Sequence, residues 1–393
     1  MPRRADSVLD KNVDAQFSGA GTQWIIQTPA GVLYAVYVDT NNDVDFKKST
    51  DGGLTWGNAV SVFGGTVTSL AVWYDRWSNI AAGLIHIAYQ ESTTDDTLYR
   101  TINTESADAL STQATILLGA STLAGGCLSI SRARGGNVYC ATMIDAGSEG
   151  GYFRLPNANV PNGAWDAARA TVFEAATQDQ IILLPGWAAD NQDMMAIFWD
   201  SDADELSRKL YDDSANSWSE ASISTGMVDQ AAATAFPHFD AFVDIENSRN
   251  VVVAWNAVDL VNADLLGWTV TESAITAFTT PVVLNSTDDQ GLCAITKDTV
   301  TGHWYCFYAG KSDGSETFPT SVNVYYKVST DEGATWGPET LLTNALSNIH
   351  WLIAVPRWAG KFLVAFMSSV GFIRLMVSAQ IVQPRASHQL FGG

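Results

Sequence analysis

Apolar and polar residues alternate along most of this chain with a period of two. Runs such as Val32-Leu33-Tyr34-Ala35-Val36-Tyr37-Val38 are short and are bounded by Gly, Asn, Asp and Thr. That period places successive side chains on opposite faces of a strand, whereas the 3.6-residue period of an amphipathic helix is missing over any long stretch. The runs fall into repeats at 22–62, 66–118, 126–173, 178–223, 235–284 and 291–342. Each repeat reads as strand, hairpin, long strand, loop, strand, turn, strand. A shorter seventh repeat follows at His350–Val355, Lys361–Met367 and Phe372–Ser378, and it supplies only three strands.

One turn recurs almost letter for letter. Ser49-Thr50-Asp51-Gly52-Gly53-Leu54-Thr55-Trp56 returns as Ser329-Thr330-Asp331-Glu332-Gly333-Ala334-Thr335-Trp336, five repeat steps of about 56 residues later. A weaker copy runs from Asp213 to Trp218, with Asp213, Ser217 and Trp218 in the places of Asp51, Thr55 and Trp56. Asn162-Gly163-Ala164-Trp165 is a more decayed fourth. The residue types suit a tight turn: Asp accepts backbone N–H groups, Gly supplies φ > 0, and Trp buries its ring.

This Ser-x-Asp-x-Gly-x-x-Trp pattern resembles the Asp-box, or BNR repeat, of sialidase-like β-propellers. The resemblance implies an all-β, seven-bladed propeller of four-stranded antiparallel blades. The expected layout is one domain over 1–393, with a closing segment at 1–21, six full blades over 22–348, a last blade at 349–381 and a tail at 382–393. A ring must not leave an exposed strand edge. Residues near Val8–Phe17 are therefore expected to add the fourth strand of the last blade. Six blades result if one repeat has been split. In the resembled family the box is structural and lies away from the active site, so Ser49, Asp51, Gly53, Trp56, Ser329, Asp331, Gly333, Trp336, Asp213 and Trp218 are read as folding residues.

Strand order then fixes which loops share a face. Loops joining second to third strands lie with the connections between blades, and ligands of propellers usually occupy that end. First-to-second hairpins and the box turns lie at the other. The second-to-third loops are acidic: Asp39 to Asp43, Glu91 with Asp95 and Asp96, Asp145 with Glu149, Asp200 to Asp204, Asp259 with Asp264, and Asp313 with Glu316. A solvated rim is one reading. A cation or partner face is the other, with Asp39, Asp43, Asp200, Asp202 and Asp204 as its candidates. Asp200, Asp202 and Asp204 have the alternating oxygen spacing of calcium loops, although they lack the Gly and the downstream Glu of an EF-hand. No cofactor is therefore assigned, and Ca²⁺ is kept as a possibility.

The resemblance also raises a sialidase. That chemistry needs three arginines converging on a carboxylate, a Tyr–Glu nucleophile pair and an Asp acid. Phe153-Arg154-Leu155-Pro156 is similar to the motif carrying the first of those arginines. It sits late in the third repeat, after Gly150-Gly151, which argues for a chance match. Arg76, Arg132, Arg134, Arg249 and Arg357 fall in or beside first hairpins, and Arg100, Arg208 and Arg374 fall on third strands. His238 and His350, at the starts of inner strands, read as polar channel residues.

A net charge of −21 disfavours nucleic acid and anionic membrane as partners. Arg3-Arg4 is followed by Asp6, Asp10, Lys11 and Asp14 rather than by the apolar core of an export signal. Four cysteines form two equally spaced pairs, Cys127 with Cys140 and Cys293 with Cys306, each on the two arms of one hairpin. Buried thiols are expected there over disulfides. The reading that follows is a non-enzymatic binding or assembly module, either a bacteriophage virion protein of tail or capsid, made in the host cytoplasm, or a secreted surface-recognition protein. Its partners would be other virion or surface proteins, or a glycan. A propeller-fold glycoside hydrolase is the alternative.

Overall fold

The computed structural model describes residues 5–10, 25–74, 83–119, 128–145, 149–168, 180–186, 191–200, 203–225, 239–244, 249–256, 264–271, 279–285, 292–316, 323–342, 349–355, 357–358, 363–368 and 372–377. The described strands form seven sheets in chain order, antiparallel but for one two-residue pairing, and these are the blades of a β-propeller. Blade one comprises Ile25–Gln27, Leu33–Val38, Val44–Ser49 and Val60–Phe63. Blade two comprises Val67–Tyr74, Leu84–Glu91 and Asp96–Asn103. Its outer strand is split into Ala109–Leu110 and Ala114–Leu117. Blade three shows Ser129–Arg132, Val138–Asp145 and Glu149–Leu155. Blade four is Gln180–Pro185, Met194–Asp200, Glu205–Asp212 and Ser217–Thr225. Blade five is Phe239–Asp244, Arg249–Asn256, Asp264–Thr271 and Val282–Asn285. Blade six is Cys293–Asp298, Trp304–Ala309, Val324–Ser329 and Thr340–Leu341.

Blade seven joins the two ends of the chain. Ile349–Ala354, Leu363–Ser368 and Phe372–Val377 supply three strands, and Ala5–Asp10 supplies the fourth. The N-terminal strand runs antiparallel to Phe372–Val377, from Ala5 opposite Val377 to Asp10 opposite Ile373. It starts before the expected Val8–Phe17, and residues 11–17 lie outside the described set. Arg357–Trp358 pairs parallel with Lys297–Asp298 on the inner edge of blade six, a stitch between neighbouring blades that strand alternation does not reveal.

Inner strands are buried on both faces because each blade is sandwiched between two others. Leu33–Val38 and Gln180–Pro185 are buried at every position. Outer strands are mostly open to solvent instead: no residue of Ser217–Thr225 is buried. One apolar cluster runs through blades six, seven, one and two, including Phe307, Leu352, Val36 and Ile87. It therefore spans the junction where the ring closes.

Polar side chains fasten neighbouring blades to one another. Ser129 Oγ accepts from the Leu183 N–H at 3.0 Å, and an Asp240 carboxylate oxygen accepts from Ile295 N–H at 2.8 Å. Each side chain thus satisfies an edge N–H of the following blade. Thr97 and Thr142 hydroxyls meet at 3.0 Å between blades two and three. The Lys297 ammonium reaches both oxygens of Asp244 at 2.6 and 2.7 Å between blades six and five.

Candidate functional site

The two full copies of the repeated turn have the same internal bonding. Ser49 Oγ donates to Asp51 Oδ1 at 2.8 Å and accepts from Gly53 N–H at 2.8 Å. Asp51 then receives the Thr55 N–H at 3.0 Å and the Thr55 hydroxyl at 2.6 Å. In the second copy the corresponding Ser329, Gly333 and Thr335 bonds are 2.8, 2.7, 2.8 and 2.5 Å. The Thr55 hydroxyl and N–H hold the Asp51 carboxyl down at about 2. Gly333 has φ +85°, and a Cβ there would lie 2.7 Å from the Trp304 ring. Glycine is thus required both by the turn and by the approach of the indole. Trp56 and Trp336 are partly buried against the apolar clusters of their blades.

The weaker copy is corrected by the structure. The carboxylate that caps this turn is that of Asp212, with Oδ1 accepting Ser214 N–H at 2.9 Å, Ser214 Oγ at 2.6 Å and Ala215 N–H at 3.0 Å. Asp213, the first turn residue past the end of strand Glu205–Asp212, reaches toward blade three. There it accepts the Tyr139 hydroxyl at 2.7 Å and the Arg154 guanidinium at 3.0 and 3.1 Å. Arg154 also donates to Asp166 at 2.6 Å.

The same clasp closes blade one on blade two. Tyr34 donates to Asp108 at 2.5 Å, and Lys48 reaches Asp108 at 2.9 and 3.1 Å. In both clasps the tyrosine and the cation are cross-strand partners, Tyr34 with Lys48 and Tyr139 with Arg154. The tyrosine and the aspartate are 74 residues apart in each. Asp213 therefore corresponds to Asp108, not to Asp51. Turn tryptophans reach back in the same sense: Trp165 of blade three meets Tyr99 of blade two edge-on at 5.2 Å, and Trp218 of blade four meets Tyr152 of blade three edge-on at 4.9 Å. Replacing Asp213 with Ala strands the tyrosine hydroxyl and part of the guanidinium. It should destabilise by about 1.5–3 kcal/mol. A double-mutant cycle with Tyr139→Phe in urea checks this; additive effects would show that the two are uncoupled.

Arg154 is therefore a blade-to-blade fastener. Other cations behave alike. The Arg100 guanidinium donates to the Val62 carbonyl and the Lys327 ammonium to the Leu284 carbonyl, each on the outer strand of the preceding blade. Arg132 bonds within its own blade, donating to Gly136 O at 3.0 Å and to Asn157 Oδ1 at 3.0 Å. Arg208 is fully buried on the third strand of blade four. Arg76 and the side chains of Arg249, Arg357 and Arg374 lie outside the described residues.

The acidic loops sit at the end of the blades that carries the inter-blade connections. Gly65 N–H donates to Asp43 Oδ1 at 2.8 Å, and Gly119 N–H donates to Asp96 Oδ1 at 2.9 Å. Their carboxylates mostly build the loops themselves. Asp39 accepts Asn41 N–H, Asn41 Nδ2 and Asp43 N–H at 2.8, 3.0 and 2.9 Å. Glu91 accepts both N–H groups of Thr93 and Thr94 at 2.7 and 2.8 Å. Asp200 accepts Ala203 N–H at 2.9 Å. Asn42, Asp95 and Asp204 have φ of 65°, 56° and 53° just before the third strand. Asn and Asp are the non-glycine residues that tolerate this conformation, so local turn chemistry accounts for much of the acidity. Asp39 and Asp43 lie in blade one and Asp200 and Asp204 in blade four, separated by two blades. Asp202, Asp259 and His238 lie outside the described residues, as do the side chains of Asp264 and His350. Among the described residues no group of three or more His, Cys, Asp or Glu is placed to hold a metal ion.

Sequence reasoning overlooked His86. It is completely buried in blade two, with Nδ1 2.7 Å from the Tyr99 hydroxyl. Burial, with Arg132 nearby, pushes its pKa well below the ordinary 6.5. The unfolded chain then takes up a proton that the folded chain refuses. Stability should be fully present above about 6.5 and should fall as pH drops below it. His86→Gln should flatten that slope in pH-dependent urea titrations; an unchanged slope would assign it to other groups. Cys140, Cys293 and Cys306 are buried thiols, and burial raises all three. Cys293 and Cys306 do lie on the two arms of one hairpin, while Cys127 lies outside the described residues.

A pocket of about 400 Å³ opens at the opposite end of blade four from the acidic loops. Its wall is built from the hairpin residues Asn191 and Asp193, the third-strand end Leu210 to Asp212, and Ser217, Trp218 and Ser219 of the outer strand. Nothing in the alternation pattern marked it, because its parts come from three non-adjacent segments.

No family model and no curated protein matches the chain. Among solved structures it is similar to a polysaccharide lyase of family PL25, an ulvan lyase bound to a GlcA–Rha3S saccharide, at 10% identity and a TM-score of 0.56, with 96% of each chain covered. It is similar also to Kuenenia stuttgartiensis hydrazine synthase, at 9% identity and a TM-score of 0.57, covering 92% of this chain and 96% of that one. A third is a triple-arginine mutant of AofleA from Arthrobotrys oligospora, at 10% identity and a TM-score of 0.51, covering 87% and 90%. These likenesses show the propeller fold.

Proposed function

We propose that this chain is a non-enzymatic recognition module of the Asp-box propeller type, one that docks its acidic loop end on a basic partner surface. The two matching turns at Ser49–Trp56 and Ser329–Trp336 support the family. The observation that carries the function is the set of acidic loops at one end, braced by their own carboxylates. Arg100, Arg132, Arg154 and Lys327 are engaged between or within blades, while carboxylates crowd the loop end on turns that they themselves brace. Such braced loops present charge without having to order on binding. A virion or another surface assembly is the setting that suits an acidic docking module.

Asp95 and Asp204 are the natural probes, since Asn tolerates their left-handed backbone. The variant Asp95→Asn with Asp204→Asn should keep the melting temperature. It should weaken salt-dependent binding to polylysine several-fold, since screened surface charge acts mainly on association. A panel of fluorogenic sialosides and other glycosides should show no turnover. Turnover that vanishes with one loop carboxylate would replace this reading with a glycoside hydrolase.

A further inference from the structure

We propose that the blade-four pocket binds a neutral saccharide of one or two rings. Its volume of about 400 Å³ lies at the small-molecule scale. Leu210 and Trp218 offer apolar surface for the C–H faces of a sugar ring. Asp212, Ser217 and Ser219 edge that surface with short groups, of which the hydroxyls both donate and accept, while the Asn191 amide is already paired with Asp193 through Nδ2 and Oδ1. That mixture suits hydroxyls, which do both.

Charge decides the class. No Lys or Arg lines the pocket and two carboxylates do, so carboxylated or sulfated sugars are repelled. A cationic ligand gains little either. Asp193 already accepts the Asp213 N–H at 3.0 Å and the Asn191 amide at 2.6 Å. Asp212 has one oxygen committed to its own turn and is exposed, where ion pairs are weak. The walls are fixed beforehand. Trp218 is held by Tyr152 and Tyr211 with ring centroids at 4.9 Å from each, and Tyr211 donates to Asn216 at 2.8 Å. A preformed aromatic wall does not have to be ordered by the ligand.

Saturation-transfer NMR with the methyl glycosides of glucose, galactose, mannose and fucose, at millimolar concentration, tests the proposal. At least one should bind, and glucuronate and sialic acid should bind at least tenfold more weakly. Ser219 is exposed, so Ser219→Tyr should fill the pocket without disturbing the core and lower affinity at least tenfold at an unchanged melting temperature. Asp212→Asn, which can still cap the turn, should weaken binding a few-fold. The assignment is overturned if no neutral glycoside binds, if binding survives Ser219→Tyr, or if lysine methyl ester binds in place of the sugars. Polylysine binding at the opposite end should be indifferent to Ser219→Tyr, which keeps this result separate from the docking reading.

Discussion

A chain lacking residues 1–17 is expected to melt far below the full chain, or not to fold cooperatively at all. The strand Ala5–Asp10 is the outer strand of blade seven and ties the two termini together. Without it, Phe372–Val377 becomes an unpaired edge at the end of the chain. A six-residue ladder at roughly 0.5–1.5 kcal/mol per hydrogen bond amounts to several kcal/mol. That rivals the roughly 5–15 kcal/mol by which whole domains are stable. The ends of the ring would also lose their link, adding the entropy of closing a long chain. A chain lacking only residues 1–4 should melt like the parent. Thermal unfolding followed by circular dichroism separates the cases, and equal melting of both truncations would refute closure by this strand.

Asp244→Ala should be the most damaging single substitution among the polar fasteners. Asp244 is 0% and Lys297 9% exposed at the contact between the inner strands of blades five and six. Removing the carboxylate leaves an ammonium buried without its counter-charge, which costs about 3–5 kcal/mol. Replacing both partners, Asp244→Leu with Lys297→Met, should recover most of that loss, since an apolar pair avoids desolvating two ions. Urea unfolding of the single and double variants measures the difference. A loss below about 1 kcal/mol in Asp244→Ala would mean that water reaches the ammonium in the variant.

What could be read ahead of the structure was local in origin. The bonds of the Ser49–Trp56 turn join residues at most four apart, so the residue order nearly dictates them. The strand alternation is equally local, and it yields the short antiparallel strands of an all-β propeller. Asp213 shares the local pattern Asp-x-x-x-Ser/Thr-Trp with Asp51 but not its role. Its carboxylate in fact answers Tyr139, 74 residues away. The N-terminal strand was expected on the principle that a ring must close, but its position was set at Val8–Phe17. Pairing with Phe372–Val377 moved it to Ala5–Asp10. The acidic loops show the reverse case. A spacing that suggested cation ligands is explained by left-handed turn residues and by carboxylates accepting neighbouring N–H groups.

The sequence by itself therefore determined the strand period, the repeat, the turn chemistry and the need for a closed ring, because each follows from backbone geometry over a few residues. Only the tertiary structure decided that Arg154 and Lys48 are clasps, that His86 is sealed inside blade two, that Arg357–Trp358 stitches two blades, and that Asn191, Leu210 and Trp218 share a pocket. These depend on how one twisted sheet lies against the next. That packing brings together side chains far apart in the chain, and no local pattern of apolar and polar residues encodes which of them will meet.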